Sequence, residues 1–300
     1  MIHARGLLKS IEAQHGLFVE RARGIYSFSH LTFHEYFTAR QIVAKCTPSS
    51  IDDLTLSELA NHITSKRWRE TLLLTVEMIL EADTLLILIK REIDALLQED
   101  SELQKVPNWV VSKSKSVKGS CYGDAATRAF FFAHRLCFIR YSSVLSFEDV
   151  QNTMQARANI ALVKLVHQKM CNFAVKLNEN LESFEIQVQS TLEDLMLELR
   201  LVKNVSGSEK VAEENYWWWQ QNGKIFINRA KNVVKQCFYI DSTWHFSEEQ
   251  EELLQEYYDA NKLLIDCLNL PDIYVNRDVR EEIESTLLLP IAEIQKRQNA

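Results

Sequence analysis

The chain has 300 residues and a mass of 34.9 kDa, enough for roughly two ordinary domains. A composition 46% hydrophobic and 25% charged excludes a disordered or fibrous chain, and a net charge of −7 argues against a nucleic-acid partner. Glycine (7) and proline (4) together reach about 4% against a usual sum of about 12%, which weighs against a β-sandwich, a β-barrel or a glycine-dependent nucleotide fold and predicts a mostly α-helical protein.

Ile2, Leu7, Leu8 and Ile11 have helical spacing. LFVE (Leu17–Glu20), RARG (Arg21–Gly24) and IYSFS (Ile25–Ser29) read as strand, turn and strand, with Gly24 as the permissive residue. Thr32 and Glu35 then fit a capping box, and Phe33, Tyr36 and Phe37 share a face of the helix that follows. Helix, hairpin, helix is the closing half of a winged-helix domain, so residues 1–46 are assigned to one and Cys46–Ser50 to a linker.

Residues 51–203 form a helical domain in this reading. Its candidate helices are Asp53–Ile63, Arg67–Leu80, Asp83–Glu99, one from Ser101 that meets Pro107, Asp124–Ile139, Phe147–Asn178, and Ser190–Lys203 with a second capping box at Ser190–Glu193. Lys113–Gly123 reads as a basic loop. Ser206-Gly207-Ser208 marks a second boundary, and residues 209–300 form a C-terminal helical region packed on the domain before it. Here the predicted helices are Phe226–Phe238, Glu248–Leu268 with Asn261 inside its apolar stripe, and Arg277–Leu289 as the last. From Ser247 onward thirteen acidic residues face five basic ones, a net of −8 that leaves +1 for the preceding 246 residues. This stretch is either a solvated acidic face or a docking surface that includes Glu281, Glu282 and Glu284. The overall expectation is an all-α stack with one small N-terminal β-hairpin.

Six cysteines, with no C-x-x-C pair, fit a reduced compartment. No signal peptide is evident, and the longest apolar stretch, Leu72–Leu88, is broken by Glu77, Glu81 and Asp83. A cytoplasmic protein without a membrane partner is expected.

The search for chemistry returns mostly negatives. There is no G-x-x-x-x-G-K-[ST], G-x-G-x-x-G or G-x-S-x-G, so no glycine-rich loop of this chain cradles phosphates. His30 and His34 stand four apart, the spacing of a two-imidazole metal clamp, but no third ligand lies nearby and no metal site is assigned. His62, His134, His167, His245 and the cysteines show no ligand spacing in this reading, and a Cys237–His245 nucleophilic pair is the weakest candidate. Trp217-Trp218-Trp219 reads as a packed junction with one ring half-covering it, or else a stacking surface. No catalytic residue is assigned.

One segment carries a resemblance. IYSFSHLTFHEYFTAR (Ile25–Arg40) resembles the end of the winged-helix domain in NACHT-type NTPases of the STAND class, where the pattern is roughly F-x-H-x-[ST]-F-Q-E-[YF]-[FL]-x-A. Phe28, His30, Thr32, Phe33, Glu35, Tyr36, Phe37 and Ala39 match it, and His34 stands where the family has Gln. Arg67–Asp83, Tyr257–Leu268 and Thr286–Ile294 resemble the C-terminal helical domain of bacterial NACHT proteins. The resemblance implies a non-catalytic sensor or regulatory region in signal transduction, associated with antiphage defence. Its phosphate loop and magnesium-binding acids would lie in a NACHT ATPase core absent from this chain, supplied in cis or by a split gene. ATP or ADP is implied only through that core, where the winged-helix His, matched by His30, would contact the phosphates of ADP. An unknown protein trigger or effector would be the other partner. The alternative is an independent helical adaptor that binds a partner through its acidic C-terminal helices.

Overall fold

The computed structural model describes residues 2–116, 124–141, 150, 152–201, 209–240 and 244–299. In chain order its elements are α1 (Ile2–His15), β1 (Phe18–Ala22), β2 (Ile25–Phe28), α2 (Leu31–Lys45), α3 (Leu54–Ala60), α4 (Arg69–Met78), α5 (Asp83–Ala95), α6 (Lys105–Ser116) and α7 (Asp124–Tyr141). They continue as α8 (Thr153–Leu177), α9 (Glu182–Leu201), α10 (Glu209–Cys237), α11 (Glu248–Leu268), α12 (Arg277–Thr286) and α13 (Ile291–Gln298). The fold is all-α with one two-stranded antiparallel sheet near the N-terminus. The chain divides into two compact units, Met1–Ala95 with Asp259–Ile283, and Leu96–Tyr258 with Glu284–Ala300.

In the first unit β1 and β2 pair with Phe18 opposite Phe28 and Glu20 opposite Tyr26, with an irregularity between Glu20 and Ala22. Gly24 takes the turn at φ 79°, a backbone region that a Cβ disfavours, and its N–H donates to the Glu20 carboxylate at 2.7 Å. Helix α2 starts two residues earlier than the Thr32 capping box predicts. His30 is the N-cap, extended at φ −128°, and Thr32 lies inside the first turn. Asp53 caps α3 by accepting from the Leu56 N–H at 2.8 Å. Helix α2 packs on α4 and α3 on α5. The core is Leu56, Leu59, Leu72, Val76, Leu86, Ile89 and Ile93, with Leu264, Ile265 and Leu268 from α11. Each such side chain contributes about 2 kcal/mol on burial. Asn261 is fully buried on the apolar stripe of α11.

In the second unit Pro107 sits in the first turn of α6, where its missing N–H costs nothing. Helices α6 to α10 pack in sequence, each against the next. Their core is aromatic: Phe132 stacks on Tyr258 at 5.5 Å and Phe173 meets the same ring edge-on at 5.4 Å. The Tyr258 hydroxyl donates to the Met170 carbonyl at 2.5 Å.

Four expectations need correction here. Lys113–Ser116 is the last turn of α6 and not loop, and the rest of that loop, including Lys118, lies outside the described residues. Ser190–Glu193 lies inside α9, where the Thr191 hydroxyl donates to the Gln187 carbonyl at 2.9 Å instead of capping. The helix predicted from Phe226 runs back through the tryptophans to Glu209. Arg277–Leu289 is not the last helix: α12 stops at Thr286, Leu288 adopts φ 57°, and Pro290 becomes the N-cap of α13. The Ser206–Ser208 boundary lies outside the described residues.

Candidate functional site

The segment Ile25–Arg40 builds the first candidate site. Phe28 ends β2 and gathers the rings around it, with Phe18 at 4.9 Å, Phe37 stacked at 5.7 Å and His34 edge-on at 5.9 Å. The Ser29 N–H donates to the Leu17 carbonyl at 2.9 Å, closing the hairpin just before α2. His30 follows at the helix N-terminus. Its side chain makes no capping hydrogen bond, is exposed, and has the Phe33 ring at 6.0 Å. An exposed imidazole beside first-turn amides is a place where hydrogen-bond donors and the positive end of the helix coincide. The His34 ring lies against Phe28 and the His30 ring against Phe33. A groove of about 550 Å³ lies beside this segment, lined by Phe28, His34, Phe37, Ile42, Leu59 and Trp68 among others, and His30 is not part of its lining.

The second candidate lies in the other unit and was missed in the sequence. His134 on α7 and His167 and Cys171 on α8 are all fully buried. His134 Nε2 is 3.4 Å from His167 Nε2, and Cys171 Sγ is 3.2 Å from His167 Nε2. Among the described residues these three form the one group of three or more histidine, cysteine or carboxylate side chains whose donor atoms all lie within 4.8 Å of one another. His134 Nδ1 donates to the Phe130 carbonyl at 2.8 Å, and the Gln189 side-chain amide nitrogen stands 3.2 Å from His167 Nδ1. Burial pulls His134 down to about 4, and burial, with His134 adjacent, holds His167 well below the usual imidazole range. Both rings are therefore neutral near pH 7. Phe238 stacks on His167 at 4.7 Å and Phe130 lies 4.0 Å from His134, so aromatic rings flank the cluster. His167 and Cys171 stand four apart inside a helical pattern, a spacing the sequence offered; His134 comes from another helix and carried no such signal.

The remaining candidates separate. Cys237 is half-buried, its thiol is pushed up by burial, and its hydrogen-bond partner is Thr191 rather than His245, the reverse of an activated nucleophile. Trp219 is buried, Trp218 half-buried and Trp217 exposed. Several acids are neutralised locally: Asp266 pairs with Arg69 at 3.0 Å, Glu281 with Arg277 at 2.6 Å and Glu293 with Lys115 at 3.3 Å.

Two family models match the chain. The winged helix-turn-helix domain C-terminal to NACHT covers residues 2–42, and NACHT C-terminal Helical domain 2 covers residues 189–290. At these two segments the chain matches domains of the C-terminal portion of NACHT-family proteins. Both matched NACHT domains are distinct from the NTPase core. The first contains the whole hairpin and His30, whereas His134, His167 and Cys171 fall between the two matches. No curated protein and no solved structure matches this chain. Among its described residues no helix is long and apolar enough to cross a membrane.

Proposed function

We propose that this chain is the sensor and regulatory C-terminal region of a NACHT signal-transduction NTPase, working in the cytoplasm in bacterial defence. The observation that supports this reading is the order of the two matched domains on one chain, the winged helix first, with an exposed His30 at the N-cap of α2. In this reading the NACHT core, in cis or from a split gene, holds ATP or ADP and carries out hydrolysis, and the chain described here turns over no nucleotide. His30 donates an imidazole N–H to the phosphates of ADP and favours the closed state. The exposed Leu7, Ile25, Leu31 and Tyr36 of residues 2–42 fit a surface that the core covers. Loss of the phosphate contact shifts the population of helical packings, and that shift is the signal.

The test is ADP affinity of the full NACHT protein that carries this region, with His30 and with His30→Ala. Loss of one hydrogen bond to a charged phosphate predicts about tenfold weaker binding, without a change in melting temperature. Equal affinity removes His30 from the nucleotide site. ATP hydrolysis by the purified chain alone, abolished in His30→Ala, overturns the regulatory reading itself.

A further inference from the structure

The His134–His167–Cys171 cluster has no part in the reading above, yet it is built with care. The i,i+4 spacing on α8 puts His167 and Cys171 on one face, and α7 brings His134 against them. A neutral imidazole has one N–H. His134 spends its own at Nδ1 on the Phe130 carbonyl, so its Nε2 carries a lone pair, and that atom is the one facing His167 and Cys171.

Gln189 supplies the second observation. Its amide nitrogen stands 3.2 Å from His167 Nδ1 and donates to the Lys164 carbonyl at 3.4 Å, a bond that turning the amide gives up, while its carbonyl oxygen is buried with no hydrogen-bond partner. An orphaned buried acceptor costs about 1–3 kcal/mol. Turned over about its last torsion, the amide offers that oxygen to a proton on His167 Nδ1. His167 Nε2 then also presents a lone pair, and both imidazoles are fixed by an acceptor behind them, as metal-bound histidines are. The spacings suit one ion. Metal–nitrogen bonds of about 2.0 Å and metal–sulfur bonds of about 2.3 Å place the ligand atoms of a three-coordinate ion about 3.5–3.7 Å apart. The two closest separations here are 3.4 Å and 3.2 Å, and all three donor atoms lie within 4.8 Å of one another, so small side-chain shifts seat the ion.

We propose that His134 Nε2, His167 Nε2 and Cys171 Sγ bind a single soft monovalent cation, Cu+. Thiolate sulfur and imidazole nitrogen select soft or borderline metals over magnesium or calcium. Charge then decides between the two common candidates. One thiolate with Cu+ is neutral overall and can be buried among Phe130 and Phe238, whereas Zn2+ leaves a net positive charge there. Structural zinc also takes four ligands, and among the described residues this group supplies three. Binding displaces one proton, from the Cys171 thiol, which passes to solvent.

The test is anaerobic titration of the reduced full chain with Cu+ buffered by a chromogenic chelator, with proton release followed in parallel. The expected result is one tight ion per chain, one proton released, and an X-ray absorption spectrum with two nitrogen neighbours and one sulfur. Cys171→Ala and His134→Phe should each weaken binding more than a hundredfold; melting temperatures show whether each variant folds, and the wild-type spectrum stands independently of them. Failure to compete with the chelator overturns the site. So does Cu+ binding with two sulfurs, or affinity unchanged in a folded Cys171→Ala chain. Tight binding of Zn2+ alone overturns the copper assignment. None of these outcomes depends on nucleotide binding at His30.

Discussion

Arg128 Nε donates to the Leu287 carbonyl at 2.6 Å, so a guanidinium from α7 closes the C-terminal end of α12. Its Nη2 also donates to the Glu284 carbonyl at 3.1 Å and the Ser285 carbonyl at 2.9 Å. These are carbonyls that a helix cannot satisfy internally at its last turn, and a cation there meets the negative end of the dipole. Burial pulls Arg128 down to about 10, so it remains charged at neutral pH while largely removed from water. Arg128→Met strands three carbonyls and should cost about 3 kcal/mol. Arg128→Lys should recover only part, because an ammonium lacks the planar fork. Urea unfolding of the full chain measures both, and equal stability of all three proteins would show the contact to be idle.

The tryptophan run separates burial from exposure within three consecutive residues. Trp219 is 2% exposed and Trp217 56%. Trp219→Ala should cost about 3–5 kcal/mol, as large core truncations do. Trp217→Ala should stay within about 0.5 kcal/mol. Thermal unfolding followed by fluorescence gives both values, and the reverse order would mean that Trp217 faces the core.

Asp53 holds two backbone donors, the Leu56 N–H at 2.8 Å through one oxygen and the Thr47 N–H at 2.7 Å through the other. Asp53→Ala should lower stability by about 1–2 kcal/mol. Hydrogen exchange should speed up at Thr47 and through the first turn of α3. Protection unchanged at Leu56 would disprove the cap.

Burial pushes the Cys267 thiol up to about 12, and Cys137 higher still, so neither ionises at pH 8.5. Cys46 is half-buried at the end of α2. Brief iodoacetamide treatment of the native chain, read peptide by peptide, should modify Cys46 at least tenfold faster than Cys137 or Cys267. Modification of Cys267 at the rate of Cys46 would place that thiol at the surface.

How much of this was legible depended on whether the signal was local. Helix α11 was legible to the residue, because an apolar stripe broken only by Asn261 begins after Ser247 and stops before Pro271. The hairpin was legible from Arg23-Gly24 between two apolar runs. Capping was not. Thr32 and Ser190 have the right residue types at the right offsets, but α2 starts at Leu31 behind His30 and α9 starts at Glu182, so both boxes fall inside their helices. Pro290 read as a stop because proline ends helices, yet the same rigid φ suits the residue before a first turn, and α13 begins there. The helix predicted from Phe226 extends upstream, and within that added stretch the Asn222 amide donates to the Trp218 carbonyl at 3.0 Å. His30 was legible from a motif. His134 beside His167 was not, since that contact depends on how two helices pack, and no spacing within one segment encodes it.

Each compact unit is assembled from two separated stretches of chain: the first takes Asp259–Ile283 and the second takes Glu284–Ala300. A ribosome making this protein therefore finishes neither unit until the stretch that begins at Asp259 has emerged. Residues 1–258 must wait with apolar faces uncovered, which makes nascent chains stalled before Asp259 natural clients for holdase chaperones.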